Sequence, residues 1–158
     1  MAEQYKHTQY GMLMFLVFLI TGMLITVVSV RLFAENRVSS VILMIVVYLI
    51  GIAMFYALTV ELSAEKLKLW FGIGVVQKTI ALREIQSTKV IKNPWYYFWG
   101  IKLIPGGWFY AIAPGTAVEI ELRDGKIIQL GTNQPQQLKQ AIDTARQQES
   151  QNRSFTSK

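Results

Sequence analysis

The sequence predicts a membrane protein in two parts: a two-helix transmembrane hairpin, then an all-β domain closed by one C-terminal helix. Three observations predict it. Two uncharged apolar runs stand close together near the N-terminus. The residues after them alternate apolar and polar in the manner of strands. The last periodic segment repeats at helical spacing. Composition agrees: of 158 residues, 52% are hydrophobic and only 16% charged, whereas soluble domains carry about 25% charged residues. A chain of this length holds one modest domain and an anchor.

The runs are Gly11–Val30 and Val41–Val60, each 20 residues without a charge. About 20 apolar residues at about 1.5 Å each cross the hydrocarbon of a bilayer. Neither run alternates as a strand does, and neither carries the polar face of a surface helix. The first exceeds the apolar core of a signal peptide, and no small-x-small cleavage pattern follows Val30, so it reads as retained. The expected layout is an N-terminal tail over 1–10, a transmembrane helix over 11–32, a short loop over 33–40 and a second helix over 41–60. Both chain ends then lie on one side. Lys6, Lys66, Lys68 and Lys78 on that side, against Arg31 and Arg37 in the loop, favour cytoplasmic termini. Tyr10, Phe55 and Tyr56 fit an interfacial aromatic belt. Thr21, Gly22, Thr26, Gly51 and Ala53 are small or weakly polar and suit helix–helix contact. Neither span carries an ionisable residue, which argues against an ion pathway.

From residue 58 the pattern changes, and residues 58–147 read as the folded domain. LTVELSAEKLKLWFGIG alternates around a polar break at Ser63–Glu65, as two strands and a tight turn would. Further strands are expected near Val75–Ala81 and Ile85–Ile91. TAVEIELRDGKIIQLGT is the clearest hairpin, with Asp124-Gly125 as a turn that tolerates positive φ. Leu138, Ala141, Ile142 and Ala145 recur at helical spacing, with Thr132 or Asn133 as cap and Pro135 in the first turn. Residues 148–158 are polar and expected to be disordered. The expectation is about seven antiparallel strands in a bent sheet or partial barrel, capped by the helix.

One segment is compositionally unusual. Between Asn93 and Gly115 stand Trp95, Tyr96, Tyr97, Phe98, Trp99, Trp108, Phe109 and Tyr110, broken up by Pro and Gly. Tyr and Trp pair an apolar body with a polar tip and suit the headgroup region of a bilayer. Three readings stay open: membrane-interface embedding, core packing and a partner-protein surface. The net charge is +6, and residues 61–158 hold 13 Lys or Arg against 8 Asp or Glu. Such an excess suits either solubility or anionic lipid. Lys66, Lys68, Lys89, Lys92 and Lys102 are the candidate anionic-lipid contacts. Nucleic acid is a rival partner for basic residues among aromatics, but an adjacent membrane anchor disfavours it and none is expected.

Paired apolar helices followed by Trp99-Gly100-Ile101-Lys102, Gly107-Trp108, Val118–Leu122, Asp124-Gly125, Leu130-Gly131-Thr132 and Pro135 resemble the bacterial pleckstrin-homology (PH)-like domains of small membrane proteins. The likeness covers about residues 58–145. It implies a seven-stranded, strongly bent sheet with one end plugged by the helix. It implies little about activity: such domains are thought to mediate protein association or membrane-linked stress roles. The basic loop of phosphoinositide binders is missing, since the short first turn contains Glu65.

Catalytic chemistry finds no support. There is no Cys, so thiol chemistry and Cys-based zinc sites are out. His7, the single His, reads as a solvated tail residue. Glu119 and Glu121 read as a solvated strand face rather than a catalytic pair. Gly72-Ile73-Gly74 lacks the strand–helix setting of a phosphate loop. No cofactor or metal is expected. The chain therefore reads as a non-enzymatic interaction module at the cytoplasmic membrane, working through a protein partner or self-association. An anionic-lipid headgroup sensor is the alternative.

Overall fold

The protein is described by a computed structural model that covers residues 5–94, 100–113 and 115–156. Two long apolar helices, α1 (Met12–Ala34) and α2 (Val38–Phe55), form an antiparallel hairpin. Both are long and apolar enough to cross a membrane. At about 1.5 Å per residue they span roughly 35 and 27 Å, against about 30 Å of hydrocarbon. The loop is shorter than the sequence suggests, because α2 begins at Val38; Asn36 takes a left-handed conformation (φ 59°) to reverse the chain. Ile45, Val46 and Val47 are consecutive and all exposed. Successive helical residues point about 100° apart, so α2 shows apolar side chains around most of its circumference.

The helices continue directly into strands. β1 (Tyr5–Tyr10) runs into α1, and α2 runs into β2 (Ala57–Leu62). β1 and β2 pair antiparallel from Tyr5↔Leu62 to Tyr10↔Ala57. This corrects two expectations. Residues 5–10 are a strand, not a tail, and α2 stops at Phe55 rather than running to 60. The strand forms despite its polar sequence because β2 supplies its backbone partners, and a sheet edge needs only one neighbour. β3 (Lys66–Phe71) and β4 (Val76–Ala81) complete a four-stranded sheet in the order β1-β2-β3-β4.

The second sheet has five strands: β5 (Ile85–Lys92), β6 (Gly100–Ile104), β7 (Gly107–Ala111), β8 (Thr116–Leu122) and β9 (Ile127–Gly131), in the order β5-β8-β9-β7-β6. β7 and β9 run parallel. The nine described strands thus form two sheets, neither closed into a barrel, and one pairing is not antiparallel. The β8–β9 hairpin turns at Asp124-Gly125 as the sequence predicts.

One core joins the sheets to α3 (Pro135–Thr156). Leu58, Val60 and Leu62 alternate inward from β2, and Leu67, Leu69 and Phe71 from β3. Val118, Ile120 and Leu122 come from β8, and Leu138, Ile142 and Ala145 from α3. Each Val, Leu, Ile or Phe among them contributes about 1.5–3 kcal/mol on burial. Met14 of α1 is buried in this same core, so the first turn of α1 belongs to the domain. The helix also runs past 147, where disorder is expected: Gln, Glu and Arg there are good helix formers even without an apolar stripe. Neither proposed residue is the N-cap. Gln134 accepts the first helical bond from Leu138, and the Thr132 hydroxyl accepts the Gln134 N–H.

Candidate membrane interface

Strand register defines a helix-proximal end of each sheet. In the first sheet it holds Tyr10, Ala57, Phe71 and Val76. In the second it holds Lys92, Gly100, Ala111 and Thr116. Two close approaches hold these ends to the hairpin. A Cβ on Gly11 would lie 2.7 Å from the Ile112 carbonyl oxygen, and one on Gly72 would lie 2.1 Å from that of Ala53. The β3–β4 turn therefore sits against the end of α2, and Ile73 N–H donates to the Ala53 carbonyl at 3.1 Å. Gly72 also needs positive φ, at +46°, which glycine adopts without penalty.

This docking sets apolar tips beside the helix ends. Ile73 is 67% exposed and Val75 64% exposed on the turn. Tyr10 and Tyr56 stack with ring centroids 6.4 Å apart, one at the start of α1 and the other at the end of α2. On the same sheet face as Tyr10, two strand positions away from the helices, Trp70 takes the Lys6 ammonium at 5.9 Å and the Lys68 ammonium at 5.4 Å from its ring centre. Glu61 lies between them in register and pairs with Lys6 at 3.6 Å. Aromatics with polar tips, exposed aliphatics and cations are what a headgroup layer accepts.

Of the expected interface residues, the structure places Trp108, Phe109 and Tyr110, and it places them away from this surface. Trp95, Tyr96, Tyr97, Phe98 and Trp99 lie outside the described residues. Their flanks do not: Asn93 N–H donates to Gly115 O, and Gly100 pairs with Ala111, at the helix-proximal end. Phe109 and Tyr110 are buried and belong to the interior, on opposite faces of one strand: Tyr110 in the main core, Phe109 in a small cluster with Ala111 and Ala117. Burial raises the Tyr110 phenol above its usual range. Trp108 is exposed, but three residues from Ala111 toward the far end of β7, beside Leu103 of β6.

The five lysines are not gathered either. Lys66 is at the far end of β3, opposite Ala81. Lys89 pairs with Glu119 at 3.4 Å in the middle of the second sheet. Lys102 lies opposite Phe109 on β6. Only Lys92 is at the helix-proximal end and only Lys68 joins the aromatic group. The pairing register decides this, and lysine spacing in the sequence does not reveal it. Ile73 and Val75 are the residues that the sequence left without a role, while Tyr10 and Tyr56 lie where the expected aromatic belt put them, at the helix ends.

His7 is also reassigned. It lies on β1, and its Nε2 donates to Asn133 Oδ1 at 2.8 Å, while Asn133 N–H donates to the buried Gln9 side chain at 3.2 Å. Asn133 follows β9, so these bonds tie the edge of the first sheet to the second. Glu119 accepts a hydrogen bond from the Gln129 amide and Glu121 one from the Ser87 hydroxyl. At the far end, a groove of about 940 Å³ runs between α3 and the β8–β9 turn, and its walls mix Arg83, Arg123 and Arg146 with Glu84, Asp143 and Glu149. Among the described residues no three His, Asp or Glu gather as a metal site. No family model, curated protein or solved structure matches the chain.

Proposed function

We propose that the chain is a membrane-anchored, non-enzymatic interaction module that presents its β domain at the cytoplasmic surface of the inner membrane and works by association with itself or a protein partner. The exposed helices call for lipid: contiguous apolar patches beyond a few hundred Å² are rare on soluble monomers. The lysine distribution favours the cytoplasmic side for both termini. Two sheets and a C-terminal helix support a PH-like reading of the domain, with β1 and the parallel β7–β9 pair as departures from a seven-stranded antiparallel plan.

The observation that carries association is the β6–β7 hairpin. β6 is an edge strand, and Leu103, 74% exposed, stands opposite Trp108, 46% exposed. An edge strand offers backbone donors and acceptors for strand addition, and a Trp beside an aliphatic is a common anchor at interfaces. The test is single-molecule photobleaching of the full chain in vesicles at low density. Two-step traces that become one-step in L103K/W108K support self-association. One-step traces for the wild type, with no protein captured by a photo-crosslinker at position 103, overturn the reading.

A further inference from the structure

Beside the Tyr10–Tyr56 stack, a crevice of about 430 Å³ opens on the flank of the helical hairpin. That volume falls within the usual range of about 300–1,000 Å³ for small-ligand sites. Its walls are Met14, Phe15, Phe18 and Leu19 of α1 with Tyr48 and Ile52 of α2. The one polar tip at depth is already satisfied, because the Tyr48 hydroxyl donates to the Phe18 carbonyl. What remains of the wall is hydrocarbon and ring face.

We propose that this crevice is a site for one anionic glycerophospholipid, with an acyl chain between α1 and α2 and the phosphate at the level of Tyr10 and Tyr56. The inference rests on the reading that the helices span the bilayer. Three features favour a lipid over a second protein helix. The crevice opens at the helix ends, where chains meet headgroups, and not at mid-span. Its mouth is made by two tyrosines, which prefer the headgroup level. The sheet face continuous with Tyr10 then places Lys6 and Lys68 around Trp70, with Glu61 as the carboxylate in register between them. Apolar wall, phenolic mouth and cationic rim follow one another in the order of chain, phosphate and outer headgroup, where the lysines oppose a choline cation and accept a neutral glycerol. Apolar contact holds the chain, and the lysines select the charge.

The test uses the full chain in vesicles with spin-labelled phosphatidylglycerol or phosphatidylcholine, and reads the motionally restricted lipid fraction. The wild type should restrict phosphatidylglycerol about fivefold more strongly, the effect of about one near-surface cation. L19W fills the crevice and should remove that restricted component. K6Q/K68Q should keep a restricted chain and lose the preference for phosphatidylglycerol. A restricted fraction that is equal for both lipids and unchanged in L19W overturns the site while leaving the membrane reading intact. Copies of L19C that crosslink across the crevice assign it to a second chain and overturn the lipid. A protein that washes off membranes at alkaline pH and restricts no lipid overturns both the site and the spanning hairpin.

Discussion

Replacing Gly72 by Ala should uncouple the β domain from the hairpin. The residue sits at φ +46°, and its added Cβ would meet the carbonyl oxygens of Ala53 and Met54 at 2.1 and 2.6 Å. The left-handed conformation alone costs about 1–2 kcal/mol for an L side chain. Forced contact with backbone that cannot rotate away adds about 1–3 kcal/mol. Pushing the turn off α2 also removes the Ile73–Ala53 hydrogen bond, about 1 kcal/mol. The sum is about 3–6 kcal/mol, a large share of the roughly 5–15 kcal/mol that holds a typical domain. Gly74 is the matched control: its φ is +89°, but the nearest atom to its added Cβ is a Trp70 ring carbon at 3.8 Å. G74A should therefore cost only the conformational part, about 1–2 kcal/mol. The assay is denaturant unfolding of the full chain in micelles, followed by tryptophan fluorescence. Equal midpoints for G72A and G74A would refute the claim that the turn is docked on the helix end.

Two further outcomes are expected. N133A removes the hydrogen bond from His7 and keeps the backbone N–H that donates to Gln9, so it should destabilise by about 0.5–1.5 kcal/mol, and amide exchange should accelerate in β1 before the rest of its sheet. Asp124 accepts hydrogen bonds from the Lys126 side chain and backbone, which hold its carboxyl below the ordinary 3.8. A lowered carboxyl favours the fold above its unfolded value, and this contribution is lost as the pH falls through the folded value. Carboxyl-detected NMR should show a midpoint below 3.8 for Asp124 that returns toward 3.8 in K126Q; an unmoved midpoint in K126Q would exclude the lysine as the cause.

The helices were legible because twenty uncharged residues in a row have few structural solutions, and the β8–β9 hairpin because Asp124-Gly125 interrupts clean alternation. α3 was legible through Leu138, Ile142 and Ala145, but not past them: its last turns follow propensity, with no apolar period to mark them. β1 was hidden for another reason. Lys6, Thr8 and Gln9 look like a tail until Thr8 is seen bonded to Thr59 and Gln9 to Asn133, partners more than fifty residues away. The candidate membrane-facing surface was obscured in the same way. Aromatic density pointed to Trp108, Phe109 and Tyr110, whereas nearness to the helix ends depends on strand register and on the Gly72 turn, neither of which local composition encodes.

The pairing of β1 with β2 bears on how the molecule is made. β1 leaves the ribosome before its partner β2, which lies beyond both helices. On the proposed reading that both helices span the bilayer, the two strands can meet only if α1 and α2 are delivered as a hairpin, with both ends returned to one compartment. A chain that inserts a single helix leaves β1 and β2 in different compartments. Its first sheet then lacks an edge, and Asn133 lacks the side chains of His7 and Gln9. On that reading, completion of the first sheet would check membrane insertion through the same hydrogen bonds that hold the folded domain together. Molecules that fail it would keep β2 with an open edge, free to pair with another chain.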